Sequence, residues 1–186
     1  FFNPVPVLQL VELVPSLLTA QETTDRARAL VEGSLGKQAI DCQDRAGFVV
    51  NALLIPFVLS AIRMLESGFA TAEDIDRGLV LGAAHPQGPL ALADLIGLDT
   101  TKAVAESLYE EFKEPLYAAP PLLNRMVDAG LLGRKAGRGF YDYREGAVKP
   151  VPQTEAPQTP AGKITVFGEC AVAEALVERL RSPGQA

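Results

Sequence analysis

The chain has 186 residues, 48% of them hydrophobic, and a mean hydropathy of +0.15, enough to build the core of one domain or of one domain and part of another. A net charge of −6 and a pI near 4.9 exclude a nucleic-acid binder that works through its global field. Cys42 and Cys170 lie far apart, which excludes a metal spacing or a disulfide framework and fits a reducing, cytoplasmic setting. Phe1-Phe2-Asn3-Pro4 carries no basic segment of a signal peptide, and no initiator Met stands ahead of it, so the chain reads as a fragment.

Phe1 to Pro6 is an extended, proline-broken entry, and Leu8 to Val14 has the composition of a strand. Glu12 inside that run has two readings. It sits on the solvent face, which is the ordinary account, or it supports a catalytic base. Thr23 or Thr24 caps a helix running to about Leu35, with Ala27, Leu30, Val31 and Leu35 as its stripe and Gly36 at its end. Ala39 to Cys42 is a second short strand. Strand, helix, strand is the grammar of an α/β sheet seen at its end.

Ala46 to Gly68 is the longest apolar stretch. A helix apolar on every side is expected to be buried on every side. Asn51, Pro56 and Arg63 interrupt it and argue against a membrane span. Pro56 removes one internal hydrogen bond and is expected to kink the helix. Asn51 is either a satisfied core amide or faces a ligand, and helix pattern alone favours the core.

Thr71-Ala72-Glu73-Asp74 resembles a capping box opening a helix with Ile75, Leu79 and Val80 inward. His85-Pro86-Gln87-Gly88-Pro89 is a rigid turn, and its lone histidine has no metal-ligand or nucleophile spacing around it. Ala91 to Ile96 is a helix closed by Gly97. Asp99 caps another from Thr100 to Phe112, and Pro120 opens one that ends near Gly130. Gly133 to Tyr143 is a glycine-rich basic loop. It is either a tight turn with solvated cations or a phosphate cradle, though without P-loop spacing. Residues 144–162 have linker composition. Ile164 to Phe167 reads as a strand leading through Gly168-Glu169-Cys170 to a helix Glu174–Arg181. Cys170 replaces the middle glycine of a dinucleotide fingerprint, which argues against nucleotide binding there.

Four segments together carry a likeness: FFNPVPVLQLVELV, GFVVNALLIP, HPQGPLALADLIGLD and GLLGRKAGRGFYDY. In this order over residues 1–143 they resemble the L-3-hydroxyacyl-CoA dehydrogenase family, nearest its 3-hydroxybutyryl-CoA dehydrogenase type. The resemblance implies a mainly α chain. Residues 1–45 would be the last β-α-β of an NAD-binding Rossmann domain. Residues 46–143 would be a helical, 6-phosphogluconate dehydrogenase C-terminal-like domain serving dimerisation and substrate. Residues 163–186 would begin a degenerate Rossmann-like unit, as in longer bacterial members.

The resemblance also implies oxidation of a (3S)-hydroxyacyl-CoA to the 3-oxoacyl-CoA with NAD, a reaction of fatty-acid metabolism including β-oxidation. It assigns Glu12 to orienting and supporting an imidazole base and Asn51 to the active site beside substrate and nicotinamide. Asn3 falls near the nicotinamide side, and no residue is assigned to a metal. The family's base directly precedes the FFNP segment and its NAD loop lies further upstream, so the fragment alone is expected to be inactive. Gln87 and Ala52 depart from the Met and Arg common in the family. The competing expectation is a non-catalytic helical dimerisation module. Related sugar-acid dehydrogenases are disfavoured by the FFNP and HPQGPL segments.

Overall fold

The computed structural model describes residues 1–148, 165–166 and 170–181, which fall into two units, Phe1–Gln153 and Thr154–Ala186. The first unit opens with a small sheet. Strand β1 (Leu10–Leu13) pairs in parallel with β2 (Gln38–Asp41), Glu12 opposite Ile40. Parallel strands need a crossover, and it is helix α1 (Gln21–Ala29), continued by a π-helical turn Leu30–Ser34. Val11, Leu13 and Val31 are buried together, with Ala27 and Ala39 packed against them. Strict alternation therefore turns Glu12 to the other face. The cap expected at Thr23 or Thr24 lies at Ala20 instead. The amides of both threonines donate to the Ala20 carbonyl, so the helix has already begun before them. Gly36, at φ +61°, ends the crossover.

The rest of this unit is helical: α2 (Val50–Glu66), α3 (Ala72–Ala83), α4 (Pro89–Ile96), α5 (Leu98–Phe112) and α6 (Pro121–Asp128). Helix α2 packs against all four others. Its Ile55, Val58, Leu59 and Ile62 share one core with Ile75, Leu90, Ala93, Leu98, Leu108 and Leu123. Pro56 lies buried inside α2, and Ser60 Oγ donates to its carbonyl at 2.8 Å. The guanidinium of Arg63 donates to the carbonyls of Pro115, Leu116 and Ala118, so this cation ties α2 to a 3-10 turn.

The expectation that α2 is buried all round is corrected. Leu53 is 72% exposed and Met64 38%, and with the exposed Ser60 they mark one face that no other helix of the first unit covers among the described residues. Thr71 caps α3 as expected, accepting from the Asp74 amide at 3.2 Å. Its hydroxyl donates to the Asp74 carboxylate at 2.7 Å, which replaces the usual reach of that side chain to the cap's own amide. Val80 is exposed rather than inward, and the inward residue beside Ile75 is Asp76. Gly97, at φ +100°, stands at the start of α5, which places Asp99 in its first turn instead of at its cap.

In the second unit, helix α7 spans Ala171–Arg181, starting before the expected Glu174. Thr165 and Val166 are in no strand, and Ile164, Phe167, Gly168 and Glu169 lie outside the described residues, as does most of the expected linker. No helix of the described residues is long and apolar enough to cross a membrane.

Candidate active site

Helix α2 begins without a side-chain cap of its own. The first amides of a helix have no partner within it, and they favour a negative charge. Glu12 supplies that charge from β1. Its Oε1 accepts from the Val49 amide at 3.0 Å and the Val50 amide at 2.9 Å. Its Oε2 has no hydrogen-bond partner among the described residues. The Cys42 thiol is buried beside this carboxylate, and burial first, then the Glu12 charge, push its pKa up.

The turn that delivers α2 to Glu12 is tightly constrained. Gly47 has φ +75°, and a Cβ there would lie 2.7 Å from Leu108 Cδ2 and 2.9 Å from the Ala52 nitrogen. Phe48 follows at φ +48°, a left-handed conformation costing on the order of 1–3 kcal/mol for a residue with a side chain. Glu111 of α5 grips the near end. It accepts from the Ala46 amide at 2.6 Å and pairs with Arg45. Those contacts, the amide first, hold its carboxyl below the usual range. Two carboxylates, Glu12 and Glu111, therefore clamp the turn from opposite ends.

In the first turn of α2, Asn51 lines an open groove of about 620 Å³ together with Gly47 and Phe48 on its own side and Thr100, Ala103 and Ser107 of α5 on the other. Asn51 is half-buried, and its amide makes no hydrogen bond among the described residues. A satisfied core amide would have partners, so the groove-facing reading fits better. The structure thus brings Glu12 and Asn51 to the same end of α2. Asn3 is exposed in the entry segment, makes no hydrogen bond to either and does not line the groove. His85 stacks on Phe57 with ring centroids 5.2 Å apart, a packing role.

A second polar cluster escaped the sequence reading. Asp76 accepts from the amides of Leu90 and Ala91, each at 2.8 Å, and so caps α4 from α3. Asp94, 1% exposed, accepts from the amides of Phe140 and Tyr141 and from the Tyr143 hydroxyl at 2.9–3.0 Å. Tyr141 joins the two, its hydroxyl donating to Asp76 at 2.9 Å. Burial raises the Asp94 carboxyl above its ordinary value despite these donors, and raises the Tyr143 hydroxyl to about 12.

The glycine-rich loop is therefore a receptor for a carboxylate of the chain itself. A Cβ at Gly139 would fall 1.9 Å from Asp94 Oδ1. The loop is a tight turn as expected, though its cations are not all solvated, and the phosphate cradle does not hold, because Asp94 occupies the Phe140 and Tyr141 amides a phosphate would need. Two of the loop's three cations are also engaged: Lys135 pairs with Asp99, and Arg134 lies over the Tyr143 ring. An acid within the apolar run Ala91–Ile96 was the available signal for this cluster. No group of three or more His, Cys, Asp or Glu side chains that could hold a metal occurs among the described residues.

Residues 47–143 match the family model described as 3-hydroxyacyl-CoA dehydrogenase, C-terminal domain, and residues 1–45 match that of the NAD binding domain. The chain belongs to the 3-hydroxyacyl-CoA dehydrogenase family. Among members of that family, it is 61% identical over 143 residues to a 3-hydroxybutyryl-CoA dehydrogenase of Mycobacterium tuberculosis, covering 77% of this chain and 50% of the relative. The human mitochondrial hydroxyacyl-coenzyme A dehydrogenase is 45% identical over 147 residues, covering 77% and 46%. The crystal structure of (S)-3-hydroxybutyryl-CoA dehydrogenase from Ralstonia eutropha superposes with a TM-score of 0.75 at 51% identity, covering 78% and 51%. The chain spans about half the length of the curated relatives it matches.

Proposed function

We propose that this chain is part of an NAD-dependent dehydrogenase that oxidises a (3S)-hydroxyacyl-CoA to the 3-oxoacyl-CoA. On this reading, residues 1–45 close the NAD-binding domain, 46–143 form the substrate and dimerisation domain, and a degenerate unit starts at 163. The observation that carries it is the seat of Glu12. Its Oε1 is fixed by two amides at the head of α2, the residues just before Asn51, while Oε2 is left open and the Asn51 amide is unpartnered among the described residues.

The parallel β1-α1-β2 crossover suits a dinucleotide-binding sheet, where ligands sit beyond the carboxyl ends of the strands, and Glu12 lies near that end of β1. NAD, when bound, supplies the acceptor for the hydride that leaves C3. Glu12 Oε2 accepts the N–H of an imidazole base, fixing its tautomer and raising its pKa so that it takes the 3-hydroxyl proton near neutral pH. Asn51 donates its amide N–H to the substrate oxygen, and Asn3 borders the nicotinamide side. His85, held against Phe57, is not the base. The bare face of α2 supports a homodimer through the helical domain, and the free Cys42 and Cys170 fit a cytoplasmic setting.

A second reading has one observation in its favour. Capping α2 gives Glu12 a structural use without any chemistry, as in a non-catalytic dimerisation module. The test follows NADH formation from (S)-3-hydroxybutyryl-CoA and NAD by the gene product, including whatever its gene encodes ahead of Phe1. Glu12→Gln keeps an oxygen for the two amides and removes the charge. On the dehydrogenase reading kcat drops about 10²-fold or more with folding intact, the scale of general acid–base support. Absence of turnover with any 3-hydroxyacyl-CoA would establish the module instead.

A further inference from the structure

We propose that the groove between the entry of α2 and helix α5 is the pocket for the acyl chain, and that Ala103, Val104 and Ser107 set the chain length accepted. This rests on the dehydrogenase reading and extends it to substrate selection.

The groove starts at the reacting end of the site, because Asn51 is one of its walls and the amides held by Glu12 lie just before it in α2. Its opposite wall is one stripe of α5. Thr100, Ala103, Val104 and Ser107 recur at the helical spacing that puts them on one face. No Lys or Arg lines it. The one charged side chain there is the Asp99 carboxylate, already paired with Lys135 at 2.5 Å. Such a wall offers no free cation to the polyanionic nucleotide end of a CoA thioester and suits an uncharged hydrocarbon. The volume of about 620 Å³ falls in the range of small-molecule pockets, roughly 300–1,000 Å³.

Small side chains at Ala103 and Ser107 leave the space, and the Phe48 ring borders it from a strained backbone clamped by Glu12 and Glu111. Strain of this kind persists only where its surroundings over-determine it. Here the two carboxylates keep the ring at the groove.

The decisive experiment compares kcat/KM of the gene product for 3-hydroxybutyryl-CoA and 3-hydroxyoctanoyl-CoA. Ala103→Leu and Ser107→Leu, at exposed positions of α5, lower the octanoyl-to-butyryl ratio by about tenfold or more, as expected from displacing a few methylenes from an apolar site. Val104→Ala raises the ratio. Equal effects on both substrates, or none, would overturn the pocket and leave the dehydrogenase standing. Amide NMR of the 186-residue chain titrated with octanoyl-pantetheine gives a readout independent of turnover. Shifts centred on Asn51, Ala103 and Ser107 support the pocket even if the gene product turns nothing over, in which case the dehydrogenase reading alone fails. Shifts elsewhere, or none, overturn it.

Discussion

At the residue scale, the side chains that matter most are acids whose partners are backbone amides. Glu12, Asp76, Asp94 and Glu111 each take one or two N–H groups from a segment distant in sequence. Asp94 is the most buried of them. Asp94→Ala would leave the amides of Phe140 and Tyr141 and the Tyr143 hydroxyl without a partner in a site closed to water. An unsatisfied buried group costs about 1–3 kcal/mol, so the variant is expected to lose about 3 kcal/mol or more in chemical denaturation. A loss below about 1 kcal/mol would mean that the loop repacks or that water enters.

Glu12 shows how much of the site was legible at this scale. Alternation along β1 places it opposite the buried Val11 and Leu13. Only the fold shows that the head of α2 arrives on that face. Asp94 was visible as an acid in an apolar run and the loop 133–139 as glycine-rich. The sequence shows which residues lack a side chain but not what fills the space, and the phosphate reading arose from that ambiguity.

At the scale of elements, local signals worked where they were complete. Thr71 before α3, and the helix stripe that Gly36 closes between two strands, were readable because the deciding residues lie within a few positions of each other. Signals failed where the determinant lay on another element. The turn between β2 and α2 is the main case, because Glu111 holds it from α5. The acid sensitivity of that contact has a definite sign. The folded-state pKa of Glu111 is depressed, chiefly by the Ala46 amide. Its stabilisation is therefore present above the ordinary carboxylate value and lost as pH falls from there through the depressed folded value. Glu111→Gln cannot titrate. The wild type is expected to exceed this variant in unfolding free energy at neutral pH, with the gap closing on acidification below pH about 4. A gap that stays constant across that range would remove the charge from the account of the turn. Asp94, whose folded pKa is raised, acts in the opposite sense: acidification through its folded value favours the native state.

At the scale of the molecule, the unsolved surface is the bare face of α2. The sequence reading took a helix apolar all round as one buried all round. The single chain buries only the side that carries Ile55, Val58, Leu59 and Ile62, and Leu53 is left 72% exposed. Both facts agree if a second copy supplies the missing cover. A two-fold interface sets the same patch against itself, so each substitution counts twice. Leu53→Asp removes two buried leucines per dimer. At about 1.5–3 kcal/mol for each such side chain, the dimer weakens by about 10²-fold or more. Sedimentation at micromolar concentration should therefore find a dimer in the wild type and a monomer in the variant. The substitution touches no core residue, so the unfolding free energy per monomer, extrapolated to low concentration, should match the wild type. A wild type that sediments as a monomer at such concentrations would end the dimer reading. A dimer that survives Leu53→Asp would move the interface to another face of the chain.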